Sequence, residues 1–260
     1  MKSCGAWLWR AGSVIVVVCL GLLWQWVTDQ HFISPVFLPG LDRVGQALAR
    51  GLSSGDLTPK VLATIERMLW GWFIASLIGI LLGAMIGISP RLKSYLAPIL
   101  EFLRPLPASA IVPVVIALLG LTDAMILSVV GFGALWPVLL ATVHGFSAVD
   151  PRLYEVGRAL RMSKFATIYK IALPSAMPDI LSGMRLSLTV ALILSVVCEM
   201  ISGREGLGNW ILLSARFFRS ADLYAGVLLL GLIGYASAFI LSAVDGNMFA
   251  WRRRRGDLIR

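Results

Sequence analysis

The chain has 260 residues, of which 58% are hydrophobic and only 14% are charged, and its mean hydropathy is +0.84. Soluble domains average about 45–50% apolar and about 25% charged residues. This composition therefore excludes an ordinary soluble enzyme and a disordered chain. The formal net charge is +9, from 23 Lys and Arg against 14 Asp and Glu. Such an excess is typical of nucleic-acid binding or of membrane-protein loops, and the positions of the charges decide between the two.

Six stretches are apolar and long enough to cross a bilayer, whose hydrocarbon core of about 30 Å needs about 20 helical residues. In chain order they cover about residues 11–28, 66–89, 105–122, 124–149, 183–203 and 223–244. Pro105, Pro107 and Pro113 make a regular helix unfavourable in the third stretch. The sequence predicts an all-α integral membrane protein, a single domain over residues 1–260 with six transmembrane helices.

The first stretch has a second interpretation, a secretory signal peptide, because Lys2 and Arg10 precede it. No convincing A-x-A cleavage site comes before the next polar segment, so we expect a retained transmembrane helix.

Positive charges alternate between the loops. With the N-terminus in the cytoplasm, 16 of the 23 Lys and Arg residues, Arg104 among them, fall on the inside and 7 on the outside. This bias predicts that both termini are cytoplasmic, and it argues against nucleic-acid binding. The tail Arg252–Arg255 is interpreted as an anchor to anionic lipid headgroups. On the outer side, residues 29–67 contain a predicted helix over 44–52.

The cytoplasmic segment of residues 150–182 carries signals for a pair of short helices. Asp150 and Pro151 form a typical helix start, and a first helix can run to about Leu160. Ser163 is an N-cap candidate for a second helix through Leu173, which Pro174 should end. Residues at i, i+3, i+4 and i+7 of this second helix form one apolar face, made of Phe165, Ile168, Tyr169 and Ala172. This face can dock in a partner's groove, or it can pack against the protein's own helix ends.

The same segment resembles the EAA loop of permease subunits in bacterial ATP-binding-cassette importers. The matching residues are Glu155, Ser163, Phe165, Ile168, Leu173, Pro174, Pro178, Ile180, Gly183 and Arg185. Val156 and Gly157 replace the two alanines of the pattern, and Arg161 replaces its glycine. Three further segments, residues 103–107, 149–153 and 199–208, are similar to the branch that includes permeases for aliphatic sulfonates, taurine and nitrate.

The resemblance implies a bacterial inner-membrane permease for a small anion. It implies a homodimer with two cytoplasmic ATPase subunits and an extracytoplasmic substrate-binding protein, working by alternating access. This chain has no G-x-x-x-x-G-K-[ST] phosphate loop. We therefore expect it to be a transport subunit rather than an enzyme, without a cofactor of its own, while the ATPase binds ATP and Mg²⁺.

The resemblance also implies which residues couple the permease to the ATPase. They are Glu155, Gly157, Arg161, Ser163, Phe165, Ile168, Tyr169, Pro174, Pro178 and Gly183. Phe165 and Tyr169 are the expected groove contacts, and the two prolines are expected to set the angle between the docking helix and the fifth span. Glu155 either contacts the ATPase or acts as a helix N-terminal charge. Gly183 is expected to permit close helix packing.

Arg161 departs from the pattern at a turn where glycine permits a left-handed backbone. We expect the turn to have changed, so that Arg161 keeps a negative φ, since non-glycine residues with positive φ are uncommon. The alternative keeps the left-handed turn and offsets its strain with an ion pair to an ATPase carboxylate.

Glu199 is a carboxylate inside the fifth span, where charge is costly. A structural bond that holds the turn of residues 202–209 is favoured over contact with an anionic substrate.

Three scattered cysteines and two histidines offer little material for a metal site. A secondary transporter or channel without ATPase partners is the alternative function, but it would need ionisable residues in several spans. A membrane enzyme would need clustered His, Asp or Glu.

Overall fold

The computed structural model describes the backbone of residues 2–30 and 32–248, and side chains at residue 12 and in the ranges 15–30 and 32–243. Within these ranges every regular element is helical, and no β-strand occurs. The elements are α1 (Lys2–Asp29), α2 (Leu41–Ser53), α3 (Leu57–Ile88), α4 (Pro90–Leu103), α5 (Ala108–Leu119), α6 (Asp123–Ser147), α7 (Pro151–Ala159), α8 (Lys164–Thr167), a π-helical turn (Ile168–Ala172), α9 (Leu173–Ser202), α10 (Leu207–Arg216) and α11 (Ser220–Met248).

The core of the bundle is formed by α3, α6 and α9, which pack along their lengths. Glycines let α3 approach α6 closely. A Cβ atom added at Gly83 would lie 2.8 Å from the Leu139 carbonyl oxygen and 2.6 Å from Thr142 Cβ. Small residues at a spacing of four, Gly79, Gly83 and Gly87, place the α3 backbone against α6 in the manner of small-xxx-small membrane interfaces.

The bundle has two ends that matter for function. At the first, α3 and α6 begin and α9 finishes, and we call it the Glu199 end. At the second lie residues 150–172, and we call it the loop end. Helix α2 lies at the Glu199 end, where Val44 and Ala47 pack against Ala225 of α11, and it includes the predicted helix of residues 44–52.

The third predicted span, residues 105–122, is not one straight helix. Only Ala108–Leu119 is helical, and 12 residues extend about 18 Å, which is too short to cross a bilayer core. Helices α4 and α5 qualify as a span only together, with an 86° bend between them. Pro105 and Pro107 occupy the bend, where each removes a backbone donor. Arg104, expected in a cytoplasmic loop, instead caps α4 inside this broken span.

By length and composition, four helices of the described chain can cross a membrane, and five can if the bent α4–α5 pair is one span. They are α3, α6, the continuous helix from Lys164 to Ser202, and α11 as far as Ala243. The apolar part of α1 within the described side chains, Ile15–Asp29, is shorter. Six spans therefore remain a prediction.

Candidate functional site

The loop between α6 and α9 is anchored to the bundle by a small apolar cluster. Phe146, Val149, Ala172 and Ile180 are buried there, and Tyr154 of α7 packs against them. Burial raises the pKa of the Tyr154 phenol above its usual value, so the side chain stays neutral. The loop is therefore packed against the ends of α6 and α9.

Both predicted helix starts in this loop are capped. Asp150 Oδ1 accepts a hydrogen bond of 2.9 Å from the Arg152 N–H, and Pro151 occupies the first turn of α7. Ser163 Oγ accepts a bond of 3.2 Å from the Ala166 N–H at the start of α8. These local bonds satisfy backbone donors that a helix start leaves free.

The turn at Arg161 corrects our expectation of a negative φ. Arg161 has φ +52°, in the left-handed region. Its N–H donates to the Arg158 carbonyl over 3.0 Å, and the Met162 N–H donates to the Gly157 carbonyl over 2.9 Å. This pair of bonds is a Schellman motif, which satisfies the last carbonyls of α7 and requires a left-handed residue at this position. The turn is therefore retained although its usual glycine is absent.

The predicted apolar face of the second helix is divided between two environments. Ala172 is fully buried and Ile168 packs against the loop-end cluster. Phe165 and Tyr169, in contrast, are 78% and 64% exposed. The two aromatic side chains therefore remain available to another molecule, whereas Ile168 and Ala172 attach the helix to its own bundle.

Pro174 does not end the second helix, contrary to our expectation. The helix continues from Lys164 to Ser202, with both Pro174 and Pro178 inside α9 or at its start. The reason is the π-helical turn before Pro174, in which the Leu173 N–H donates to the Ile168 carbonyl. Such a turn displaces the carbonyls that a proline ring would meet in an α-helix. The predicted docking helix and the fifth span are consequently parts of one continuous helix.

Two of the predicted glycines lie at close contacts between elements. A Cβ atom at Gly157 would lie 3.3 Å from the Thr167 side chain, so Gly157 lets α7 approach the second helix. A Cβ atom at Gly183 would lie 2.5 Å from Ala141 Cβ and 2.8 Å from the Pro137 carbonyl oxygen, so α9 approaches α6 at this point.

Helix α7 also has exposed apolar side chains, in the same loop as Phe165 and Tyr169. Leu153, Val156 and Leu160 are 39%, 51% and 68% exposed. Their spacing of three and four residues is a sequence signal for one apolar face of a helix. We call these five side chains, Leu153, Val156, Leu160, Phe165 and Tyr169, the loop surface. Glu155 and Arg161 are also exposed beside it.

At the opposite end, Glu199 is fully buried and has three hydrogen-bond donors. Its Oε2 accepts from the Thr64 hydroxyl over 2.9 Å and from the Gly208 N–H over 3.0 Å, and its Oε1 accepts from Arg67 Nη1 over 3.1 Å. The Thr64 oxygen also accepts from the Leu207 N–H over 2.9 Å. Glu199 thereby holds the turn of residues 202–209 and joins α9 to α3.

Arg67 extends this network to α6. Its Nε lies 2.9 Å from Asp123 Oδ1, and Arg204 pairs with the other oxygen of Asp123. Arg67 also donates to the Glu205 carbonyl. The sequence marked Arg67 and Asp123 as charges that border apolar stretches, but it gave no sign that residues 56 positions apart would meet.

Comparison with known proteins identifies the family. The sequence profile described as "Binding-protein-dependent transport system inner membrane component" matches residues 75–253, about two thirds of the chain. SsuC of Bacillus subtilis (strain 168), a permease protein named for aliphatic sulfonates transport, is 28% identical over 244 residues, which cover 94% of this chain and 88% of SsuC. The taurine transport system permease protein TauC of Escherichia coli (strain K12) is 26% identical, with coverage of 92% and 89%. The bicarbonate transport system permease protein CmpB of Synechococcus elongatus is 29% identical, with coverage of 80% and 72%.

Solved structures have a similar fold. An inward-facing conformation of the MetNI methionine ABC transporter aligns with a TM-score of 0.63 and 17% identity, over 72% of this chain and 93% of that one. An amino acid ABC transporter crystallised with histidines aligns with a TM-score of 0.60 and 18% identity, over 80% and 97%. The chain belongs to the inner membrane components of binding-protein-dependent transport systems, and it is a transport subunit rather than an enzyme.

Proposed function

We propose that this protein is the permease subunit of an ATP-driven importer for a small anion. The relatives are named for sulfonates, taurine and bicarbonate, which are compact oxygen-bearing solutes. Two permeases would form a homodimer around the pathway, in the bacterial inner membrane, with six spans each and both termini in the cytoplasm. A binding protein would deliver the anion at the Glu199 end.

The observation that carries this proposal is the exposed loop surface. Five large apolar side chains are exposed at the loop end, on α7 and on the first turns of the continuous helix that begins at Lys164. Buried residues at the same end attach these helices to the bundle. An amphipathic helix exposed in this way fits an apolar groove, and the ATPase of such an importer is the partner with which it would be paired. ATP and Mg²⁺ would bind to that partner, since this chain has no phosphate loop.

The continuous helix from Lys164 to Ser202 would connect the docking residues directly to the membrane span. Movement of the loop surface by the ATPase would move α9 as well, because one continuous helix joins Phe165 to the span. Glycine contacts along α3 and α6 would carry this movement to the rest of the core. ATP-driven closure of the partners would in this way change which side of the membrane the pathway faces.

Glu199 has a structural role in this proposal. Its oxygens are occupied by three donors of the same chain, so an anion would gain nothing from approaching it. Together with Arg67 and Asp123 it fixes α3, α6 and α9 to one another at the Glu199 end.

Crosslinking tests the docking surface. Phe165→Cys and Tyr169→Cys should crosslink to cysteines placed around the ATPase groove, and the yield should change when ATP is added. Tyr95→Cys on α4 is the matched control, because Tyr95 is an 80% exposed aromatic residue outside the loop surface. Absence of a crosslink from both loop positions, or equal crosslinking from Tyr95, would contradict the docking surface. Uptake without ATP would favour a secondary transporter.

A further inference from the structure

A cavity of about 470 Å³ lies between the start of α5, the middle of α6 and the membrane part of α9. This volume is within the range of small-molecule sites. Leu186 and Ile193, both more than half exposed, line it from α9 and leave it open on that side. Trp136 lines the cavity and lies 13 residues, or about 20 Å, from Asp123 at the start of α6. The cavity is therefore close to the middle of that helix.

The charge that lines this cavity is positive. Arg104 lines it, and no Asp or Glu does. Within the described residues, Arg104 forms no ion pair. Four other cavities of the described chain differ: two combine arginines with Asp222, one contains Glu66, and one has no charged residue. A cationic side chain far from either end of a span is costly in a membrane, and such residues usually serve a ligand or a pathway.

Trp136 adds a hydrogen-bond donor without an acceptor. Its indole Nε1 is buried and has no partner among the described residues. An indole N–H can only donate, so what it lacks is an acceptor. Trp72, in comparison, donates its Nε1–H to the Met184 carbonyl over 2.9 Å. Ser109 brings a hydroxyl group to the same cavity.

The first residues of α5 also face this cavity. Ala108 and Ser109 line it, and the N-cap residue Pro107 makes no side-chain cap. A helix start without a cap presents free N–H groups and the positive end of the helix dipole. The prolines of the broken span thus place a helix N-terminus beside an arginine, where discontinuous helices of other transporters receive anionic groups.

We propose that this cavity is the anion subsite of the permease, in which the transported oxyanion rests during its passage. Arg104 supplies the charge, and the Ser109 hydroxyl and the α5 N-terminus donate hydrogen bonds to the anion's oxygens. The Trp136 indole Nε1, which is covered in this structure, donates as well once its ring turns toward the cavity. The apolar walls from Leu186 and Ile193 accommodate a short organic group. This assignment rests on the proposed function and adds to it the residues that recognise the substrate inside the membrane.

Reconstituted uptake tests the subsite. The permease, its ATPase and its binding protein are placed in proteoliposomes and supplied with labelled taurine, nitrate or bicarbonate, and the wild-type complex identifies the usable anion. Arg104→Gln and Trp136→Phe should each lower the uptake of that anion at saturating binding protein at least tenfold. Assembly with the ATPase should be unchanged, as measured by copurification.

Matched variants separate the subsite from general damage. Arg91→Gln removes an exposed arginine of α4, and Trp70→Phe removes an exposed indole of α3; both should keep uptake within twofold. Arg104→Lys should recover part of the loss, since it restores the charge without the planar fork of donors.

Three results would overturn the proposal. Normal uptake by both Arg104→Gln and Trp136→Phe would remove the subsite and leave the proposed function intact. Uptake of none of the three anions by the wild type would contradict the proposed function, and the subsite with it. A defect that appears only in liposomes containing anionic lipid would assign the cavity to a lipid phosphate instead.

Discussion

Arg161 holds a backbone conformation that most side chains avoid, at φ +52°. The left-handed region costs a non-glycine residue about 1–2 kcal/mol. Phe218 has the same conformation after α10, with φ +55°, so the chain accepts this strain at a turn at each end of the bundle. The Arg161 side chain is exposed and pairs with no carboxylate of the described chain. We therefore infer that a carboxylate of the ATPase offsets the cost of the left-handed backbone.

Replacing Arg161 with glycine separates the strain from the charge. Arg161→Gly should relieve the turn but weaken ATPase association by about 1–3 kcal/mol, since a charge-assisted bond is lost. The dissociation constant of the detergent-solubilised complex measures the effect. Arg161→Asn is the control, because asparagine tolerates the left-handed region without a charge and should weaken association equally. A change of less than about threefold in both variants would argue against the ion pair.

Glu199 gives a prediction about stability rather than substrate affinity. Glu199→Gln preserves the size of the side chain but removes the buried negative charge that pairs with Arg67. Loss of one member of a buried ion pair typically costs about 3–5 kcal/mol of stability. The remaining contacts of Arg67 with Asp123 and the Glu205 carbonyl should reduce this cost. We expect a clearly lower unfolding temperature in detergent.

A neighbouring carboxylate provides the control for that experiment. Glu205→Gln should leave the unfolding temperature unchanged, since Glu205 contributes its backbone carbonyl to Arg67. If Glu199→Gln instead abolished uptake at an unchanged unfolding temperature, Glu199 would belong to the pathway.

At the scale of elements, features set by neighbouring residues could be predicted from sequence. The starts of α7 and α8 follow from Asp150–Pro151 and Ser163, whose caps are local bonds. The bend of the third span was signalled by its prolines, but its angle was not, because packing of α4 and α5 sets it. The π-helical turn was also missed, since no residue type specifies it before Pro174.

Contacts between distant elements could not be predicted from one sequence. Arg67 and Asp123 meet only because α3 and α6 pack side by side. The cavity beside Trp136 likewise depends on how three elements are arranged in space. Gly183 is one signal of long-range packing that the sequence contains. The glycines at a spacing of four on α3 are another, and their pattern can be recognised without a structure.

The packing of α3 against α6 can be tested with a single methyl group. Gly83→Ala places a Cβ atom within 2.8 Å of the Leu139 carbonyl oxygen, so the helices must separate. Overpacking of this kind typically costs about 1–3 kcal/mol, and the unfolding temperature in detergent should fall. Gly131→Ala on α6 is the matched control, because its Cβ would meet no atom within 4 Å. Equal effects of the two changes would refute the close contact.

At the scale of the whole molecule, the described chain has a three-helix core with the other helices packed around it. The ion-pair network holds α3, α6 and α9 together at the Glu199 end, glycine contacts hold them along their lengths, and the Phe146–Ile180 cluster holds the loop end. Helix α11 buries little of its length, and its exposed side chains include Leu232, Tyr235 and Phe239. The core is therefore the part that we expect to move as one body when the loop surface is displaced.

The distribution of charge predicts the orientation of this core in the membrane. Arg104 lies in the broken span and no longer counts as a loop residue, yet 15 Lys and Arg residues still fall on the predicted inside, against 7 outside. Single cysteines at exposed positions of opposite ends, Ser54→Cys and Lys164→Cys, test the prediction after native cysteines are replaced. In right-side-out vesicles an impermeant maleimide should label Ser54→Cys alone, and permeabilisation should expose Lys164→Cys. The reverse pattern would place the loop surface outside the cell, where no ATPase could reach it.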